Sequence, residues 1–552
     1  MRRALFIFAV VVLLPQAVLA KPGDVVSKTP SPGPCPTGLT FDGKSLWVAD
    51  RKADQLYRID PEDGAIVSHI PSPGFWPMGL AWDGRYLWNV DSEKRQIFQI
   101  DPESGLIVRT VESPVSNPMG LTWDGQYLWV SDYRKGKIDR ISPQDGTTIV
   151  SIQAPTQNPQ GLAYDGTYLW VSDRIKNEIY MVWPENGAVL FFFDSPGPYA
   201  WGLAYDGSYL WNGDYEENIL SQLVIRDGEH YAVSDERYAE VEFTHQLKNF
   251  GTGFVQRADF YFAIPKDCES QKLEGEIEFD PQPIEMLTDR WNQELAHFVF
   301  EDIAPGQIVS PSMKVTARIY DIRYFIFPDQ VGSLADIPEE LKEMYLVDED
   351  KYAINDPYIQ QTVKEVVGDE SSPYWIVRKI FDHIRTHMRY ELAGGWNVAP
   401  TVLKRGTGSC SEYTFVFISM CRAAGVPARY VGSVVVRGDD ASYDQYFHRW
   451  AQVYLPNYGW IHWDAQGGDK DLPRDQADSI GHLSNRFLLT TFGGGNSEYL
   501  EWSYDSNVFW TAEPRAEVHF ENIAEWRPLK RGETESVSPE GKCECTFRRV
   551  RM

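Results

Sequence analysis

From residue 38 to residue 214 one pattern of apolar and polar positions returns five times. GLTFDGKSLWVAD begins at Gly38, GLAWDGRYLWNVD at Gly79, GLTWDGQYLWVSD at Gly120, GLAYDGTYLWVSD at Gly161 and GLAYDGSYLWNGD at Gly202. The step is 41 residues each time. A fixed period of this size marks a solenoid or a propeller. Within each unit, short alternating runs predict four strands. Gly-Leu-Ala/Thr-aromatic is the first and Tyr-Leu-Trp-Val the second, joined at Asp-Gly, which predicts a two-residue hairpin turn with both central residues at positive φ. QLYRID, QIFQID, KIDRIS and EIYMVW supply the third, and AIVSHI, LIVRTV, TTIVSI and AVLFFF the fourth. Four strands in such a unit make a propeller blade.

The fifth unit has no good fourth strand in register. GDVVSKTPSPGPCP, ahead of the first unit, matches GAIVSHIPSPGFWP of the next. The N-terminal stretch is therefore expected to supply the outer strand of the last blade, closing a five-bladed ring over residues 23–228. Asp50, Asp91, Asp132, Asp173 and Asp214 recur with the repeat. A residue present in every blade reads first as a turn cap, with metal binding the alternative; the repeated tryptophans read as packing between blades. The short blades resemble NHL and SMP-30-type propellers. No Zn or Ca ligand set of the latter is recognisable, so the resemblance implies a fold and no activity.

After the repeats the period stays near two. YAEVEFTHQL, ADFYFAIP, EGEIEFDP, AHFVFEDI and MKVTARIYDIRYFIF alternate between polar turns, which predicts an antiparallel β-sandwich over residues 232–330. An acidic stretch then leads into 3.6-residue periodicity in PYIQQTVKEVV and SPYWIVRKIFDHIRTHMRY, the start of an α+β part placed at residues 345–527. A polar tail, 528–552, follows.

Charge and cysteines narrow the functional classes. The formal net charge is −27, a field that repels phosphate backbones, so nucleic acid is not an expected partner. Residues 1–20, MRRALFIFAVVVLLPQAVLA, read as a secretory signal peptide, which implies export to a periplasmic or extracellular space. No later segment is apolar for long enough to span a bilayer. Six cysteines are sparse for an exported protein, so disulfides are not the framework. Cys543 and Cys545 sit in the tail without a second Cys/His pair at ligand spacing, so no metal is expected there; their pairing stays open.

One cysteine stands apart. In GTGSCSEYTFVFISMCRAAG, Cys410 follows two glycines and opens an apolar segment that stops at Gly425, with Pro427 beyond. A thiolate at a helix N-terminus is favoured by the dipole and by free N–H groups. Cys421 lies eleven residues on, about 16 Å along a helix, beyond the roughly 7 Å Cα reach of a disulfide. It reads as a core residue, leaving Cys410 a free thiol. Downstream, YFHRWAQVYL, PNYG and WIHWD form a hairpin that offers a base, His448, and an orienting carboxylate, Asp464. A thiol needs that pair: imidazole takes its proton and returns it to a leaving amine, and the carboxylate fixes the tautomer. Pairing Leu455 with Trp460 would put His448 and Asp464 on opposite faces. Pairing Leu455 with Ile461, or adding a bulge, would put them on one.

These two stretches resemble the transglutaminase-like cysteine enzymes over about residues 350–525. The resemblance implies a papain-like core, with Cys410 as nucleophile, His448 as base and Asp464 as orienting acid. It also implies acyl transfer through a thioester on a protein or peptide amide, hydrolysis being favoured over cross-linking to an amine. His462 reads as a neighbour without a catalytic role, though it could modulate the site. Trp396 or Asn397 could donate to an oxyanion. No cofactor is required. The propeller is expected to bind a protein or glycan; a noncatalytic scaffold with a vestigial triad is the rival.

Overall fold

The computed structural model describes residues 20–530, apart from 227, 229, 393–395, 438–440 and 446. The signal-peptide reading, all but Ala20, and the pairing of Cys543 with Cys545 fall outside the described residues. The repeats form five four-stranded antiparallel blades. The first comprises Pro36–Phe41, Leu46–Asp50, Gln55–Ile59 and Ile66–Pro71. The last takes its outer strand from the N-terminus: Val25–Pro30 pairs antiparallel with Ile219–Leu223.

The repeated residues have local structural work. Asp50 is buried; one carboxylate oxygen accepts from Cys35 N at 2.6 Å, the other from Lys52 N and Ala53 N at 2.9 and 2.7 Å. Asp91, Asp132 and Asp214 make equivalent bonds in their own blades, and Asp173 does so with the Thr156 hydroxyl in place of the first N–H. The tryptophans are buried and tied by Nε1 to the Asp of Asp-Gly, as in Trp47 to Asp42 at 2.9 Å. Glycine lines the approach of neighbouring blades: a Cβ on Gly79 would stand 2.2 Å from Leu121 N. The Asp-Gly turns differ from expectation. Phe41 pairs with Leu46, so the loop holds four residues. Gly43 alone takes positive φ (+92°), because the Asp42 carboxylate accepts Lys44 N and Ser45 N and folds an Asx turn.

The sandwich packs a seven-stranded sheet against a four-stranded one. Its core is apolar, with Phe243, Phe260, Phe262, Phe298 and Trp526 buried in it. Here the expected boundary at 527 is corrected. Ser506–Ala512 pairs with Val255–Ala263, and Val518–Pro528 pairs with Tyr231–Asn249. Both C-terminal strands alternate with the sandwich period and fill sandwich positions, so the α+β part is inserted into the sandwich rather than appended to it.

The α+β part packs Cys410–Ala423, nearly all buried, against a sheet ordered Gly459–Trp463, Phe447–Leu455, Ala428–Val435, Phe487–Gly493. Pro357–Val367 and Pro373–His387 cover the helix. One apolar core runs from the fourth and fifth blades through Phe325 and Phe327 to these helices. The fourth blade docks directly on the α+β part: Arg378 Nη1 donates to Val189 O at 3.0 Å, and Arg474 makes a two-pronged ion pair with Glu178 at 2.7 and 3.0 Å. Among the described residues no helix is long and apolar enough to cross a membrane.

Candidate active site

Cys410 is the first residue of its helix, behind Ser409 in extended conformation. The buried Glu412, one turn in, accepts Ser409 N at 3.2 Å. Its carboxylate also takes Asn397 N and Nδ2 at 3.0 and 3.2 Å and Arg405 Nη2 at 2.8 Å. Burial works to raise Glu412, but these donors outweigh it and hold the acid below its usual value. One carboxylate thus joins the helix start to the 396–397 loop and the preceding turn.

The hairpin solves the facing problem by a shorter loop than expected. Leu455 pairs with Gly459, and Ala451 with Trp463. Asn457 (φ 73°) and Gly459 (φ 81°) take the left-handed conformations a three-residue loop requires. This register puts His448, Trp450, His462 and Asp464 on one face. His448 Nε2 lies 2.7 Å from Asp464 Oδ2. The other carboxylate oxygen accepts Gln466 N at 3.1 Å and Gly467 N at 2.9 Å. Gly467 lets this chain pass close: a Cβ there would sit 2.7 Å from Asp464 Oδ2.

With Nε2 on the carboxylate, Nδ1 remains for the sulfur, and the Cys410 thiol and the His448 ring line the same cleft and are electrostatically coupled. Burial raises the thiol, but the His448 ring and Arg449 N–H outweigh it and set the thiol below its ordinary value. Burial opposes charge on His448 too, yet Asp464 and Cys410 raise the imidazole well above its ordinary value. Asp464 is correspondingly lowered, His448 overcoming its burial. These directions favour a thiolate–imidazolium pair.

The pair opens into a cleft of about 940 Å³ with Tyr390, Trp396, Phe447, Phe487 and Tyr504 among its walls and Arg437 and Arg486 at its edge. Of the two proposed oxyanion donors the structure separates the positions: Trp396 lines the cleft, whereas the Asn397 amide is committed to Glu412. His462 is buried and bonded to Trp450 Nε1 at 2.8 Å, and it does not line the cleft. Cys421 is fully buried, and burial raises its thiol far above the usual range. Cys35, Cys268, Cys410 and Cys421 are all free thiols. Among the described residues no group of three or more His, Cys, Asp or Glu is placed to hold a metal ion.

Sequence reasoning missed Glu412 and Arg449. Ser409-x-x-Glu412 is a capping-box spacing that points to the first. Arg449 is fully buried, its guanidinium 4.2–5.3 Å from the Tyr504, Tyr430, Trp396 and Phe415 rings; a charged residue beside His448 carries no signal that it turns inward.

Residues 360–465 match the family model described as the transglutaminase-like superfamily, a span that contains Cys410, His448 and Asp464. The chain therefore carries a transglutaminase-like domain beside a five-bladed propeller. A search of the curated proteins finds no match. Solved structures similar to parts of the chain include Myxococcus xanthus glutaminyl cyclase, at 15% identity over 37% of this chain and 97% of that one, TM-score 0.34. A candidate cysteine protease from Cytophaga hutchinsonii is 16% identical over 55% of this chain and 97% of its own, TM-score 0.38. Virginiamycin B lyase from Staphylococcus aureus is 22% identical over 36% and 68%, TM-score 0.26.

Proposed function

We propose that this is an exported cysteine hydrolase that cleaves a protein or peptide amide through a thioester on Cys410. The observation that carries the reading is a thiol at the start of a buried helix that shares one cleft with an imidazole bonded to a carboxylate. Cys410 Sγ adds to the amide carbonyl carbon, and the carbonyl π electrons move to oxygen. The Trp396 indole and the unbonded N–H groups of the helix start are the donors near that oxyanion. His448 Nδ1–H gives its proton to the amine as the C–N bond breaks, leaving an acyl-thioester. His448, again neutral, takes a proton from water as it attacks. Collapse expels the thiolate, releases the acid and restores the imidazolium. Asp464 holds the ring tautomer throughout. The propeller, joined to this part by one apolar core and the Arg474–Glu178 pair, serves as the binding module that presents the substrate.

The test is mass spectrometry of the mature protein with a glutamine-rich denatured protein and a primary amine, beside Cys410→Ala. Cleavage or deamidation lost in the variant supports hydrolysis. Amine addition lost in the variant assigns cross-linking instead. No reaction, together with a Cys410 that resists alkylation from acid to alkaline pH, sinks the enzyme reading and favours the scaffold.

A further inference from the structure

A second cavity, of about 250 Å³, lies along the sheet face that carries His448 and shares no lining residue with the cleft. His462, Gln452, Arg429 and Lys266 line it. Its polar groups do not balance. A neutral imidazole has one acceptor nitrogen, yet both His462 nitrogens face N–H donors: Trp450 Nε1 at 2.8 Å from Nδ1 and Gln452 Nε2 at 3.1 Å from Nε2. Turning the Gln452 amide does not help, because its oxygen accepts both Arg429 Nε and Nη2, at 2.9 and 2.8 Å. His462 and Gln452 are only 6% and 5% exposed, so bulk water does not relieve the clash. Two N–H groups therefore meet at the cavity wall with no acceptor between them, an arrangement that is costly when buried.

The surrounding charge says what would fit. Arg429 and Lys266 bring two positive charges to the cavity and Glu269 one negative. Lys266 makes no ion pair among the described residues; it leans over the Phe492 ring, its ammonium 5.3 Å from the ring centre. The Arg429 guanidinium lies 4.1 Å from the centre of Trp460, which leaves its edge turned to polar partners. We propose that this cavity binds a small carboxylate, which accepts from His462 and Gln452 at the wall and faces the charges of Arg429 and Lys266. The Trp450 ring stacks on His448 with centroids 5.4 Å apart, so the bound carboxylate sits two side chains from the catalytic imidazole.

The test is calorimetry on the full-length mature protein with acetate and glutarate, and with phosphate, at constant ionic strength balanced with chloride. Saturable carboxylate binding at millimolar affinity is expected, unchanged in Cys410→Ala, so that the site stands apart from the reaction proposed above. Lys266→Met, at an exposed position, removes a charge-assisted contact and weakens binding about tenfold. Gln452→Glu places an acceptor inside the donor cluster; it abolishes binding and raises the Tm. No saturable heat with either carboxylate, phosphate binding alone, or equal affinity in all three variants and the parent would overturn the proposal.

Discussion

Gly467→Ala probes the link between carboxylate and thiol without substituting Cys410, His448 or Asp464. The new Cβ would stand 2.7 Å from Asp464 Oδ2, 3.0 Å from its Cγ and 3.0 Å from Ser479 Oγ. The carboxylate oxygen it meets is the one bonded to His448. Relief therefore comes from moving Asp464 off the imidazole. That removes a charge-assisted hydrogen bond of about 1.5–3 kcal/mol. At an acidic pH, where the thiolate is the minor form in the variant, its population falls roughly tenfold to hundredfold. The assay is the rate of Cys410 alkylation by iodoacetamide across pH. His448 holds the thiol below its ordinary value in the parent, so the variant's profile shifts to higher pH. At alkaline pH, where both thiols are ionised, the rates converge. Equal rates at acidic pH would refute the coupling. Equal loss at every pH would show blocked access, and the reasoning would fail in a different way.

Four further outcomes follow from the same contacts. Trp396→Phe keeps the cleft wall but removes the indole N–H; if it donates to the oxyanion, kcat falls about 10²–10³-fold with little change in KM. Glu412→Gln keeps the size of a buried acid that accepts four N–H bonds, and thermal unfolding should show a loss of about 1–3 kcal/mol. His482 is set between Asp321 and Asp478; burial lowers it, but these acids raise it above 6.5. A raised imidazole stabilises the fold fully below its unfolded value and loses that contribution as pH rises through the folded one. His482→Gln should therefore lower the Tm more at pH 5 than at pH 9, and an equal drop at both would contradict the assignment. Gly120→Ala would place a Cβ 2.2 Å from Gln160 O, a backbone atom of the next blade; a loss of about 1–3 kcal/mol is expected by denaturant titration, the range for overpacked sites.

Much of this architecture is legible before folding because it repeats or alternates. The 41-residue period carries its blades openly, and the missing fourth strand of unit five points to its replacement at the N-terminus. Cys410, His448 and Asp464 are legible because their chemistry requires three residue types in helix-start and hairpin settings. The hairpin register is not, since PNYG accommodates several loop lengths; only the left-handed Asn457 and Gly459 select the three-residue closure. The sandwich boundary is hidden for another reason. Ser506–Ala512 and Val518–Pro528 look like any alternating strands, and nothing local says that their partners lie more than two hundred residues earlier. Arg449 and the His462 cavity are equally silent, because inward-facing polar residues in a strand follow the same period as outward-facing ones.

The insertion of the α+β part into the sandwich has a consequence for when this fold can close. Val518–Pro528 is an interior strand, flanked by Tyr231–Asn249 on one side and Ser442–Asp444 on the other. A nascent or clipped chain that ends before residue 518 already holds Cys410, His448 and Asp464, yet Tyr231–Asn249 is left with an unsatisfied edge from Ala239 to Asn249. Among the described residues, the last strand to be made is thus the one that seals the middle of a sheet begun nearly three hundred residues earlier. Partial chains would carry Cys410, His448 and Asp464 beside an open edge that invites pairing with another chain, and Val518–Pro528 is the strand that closes it.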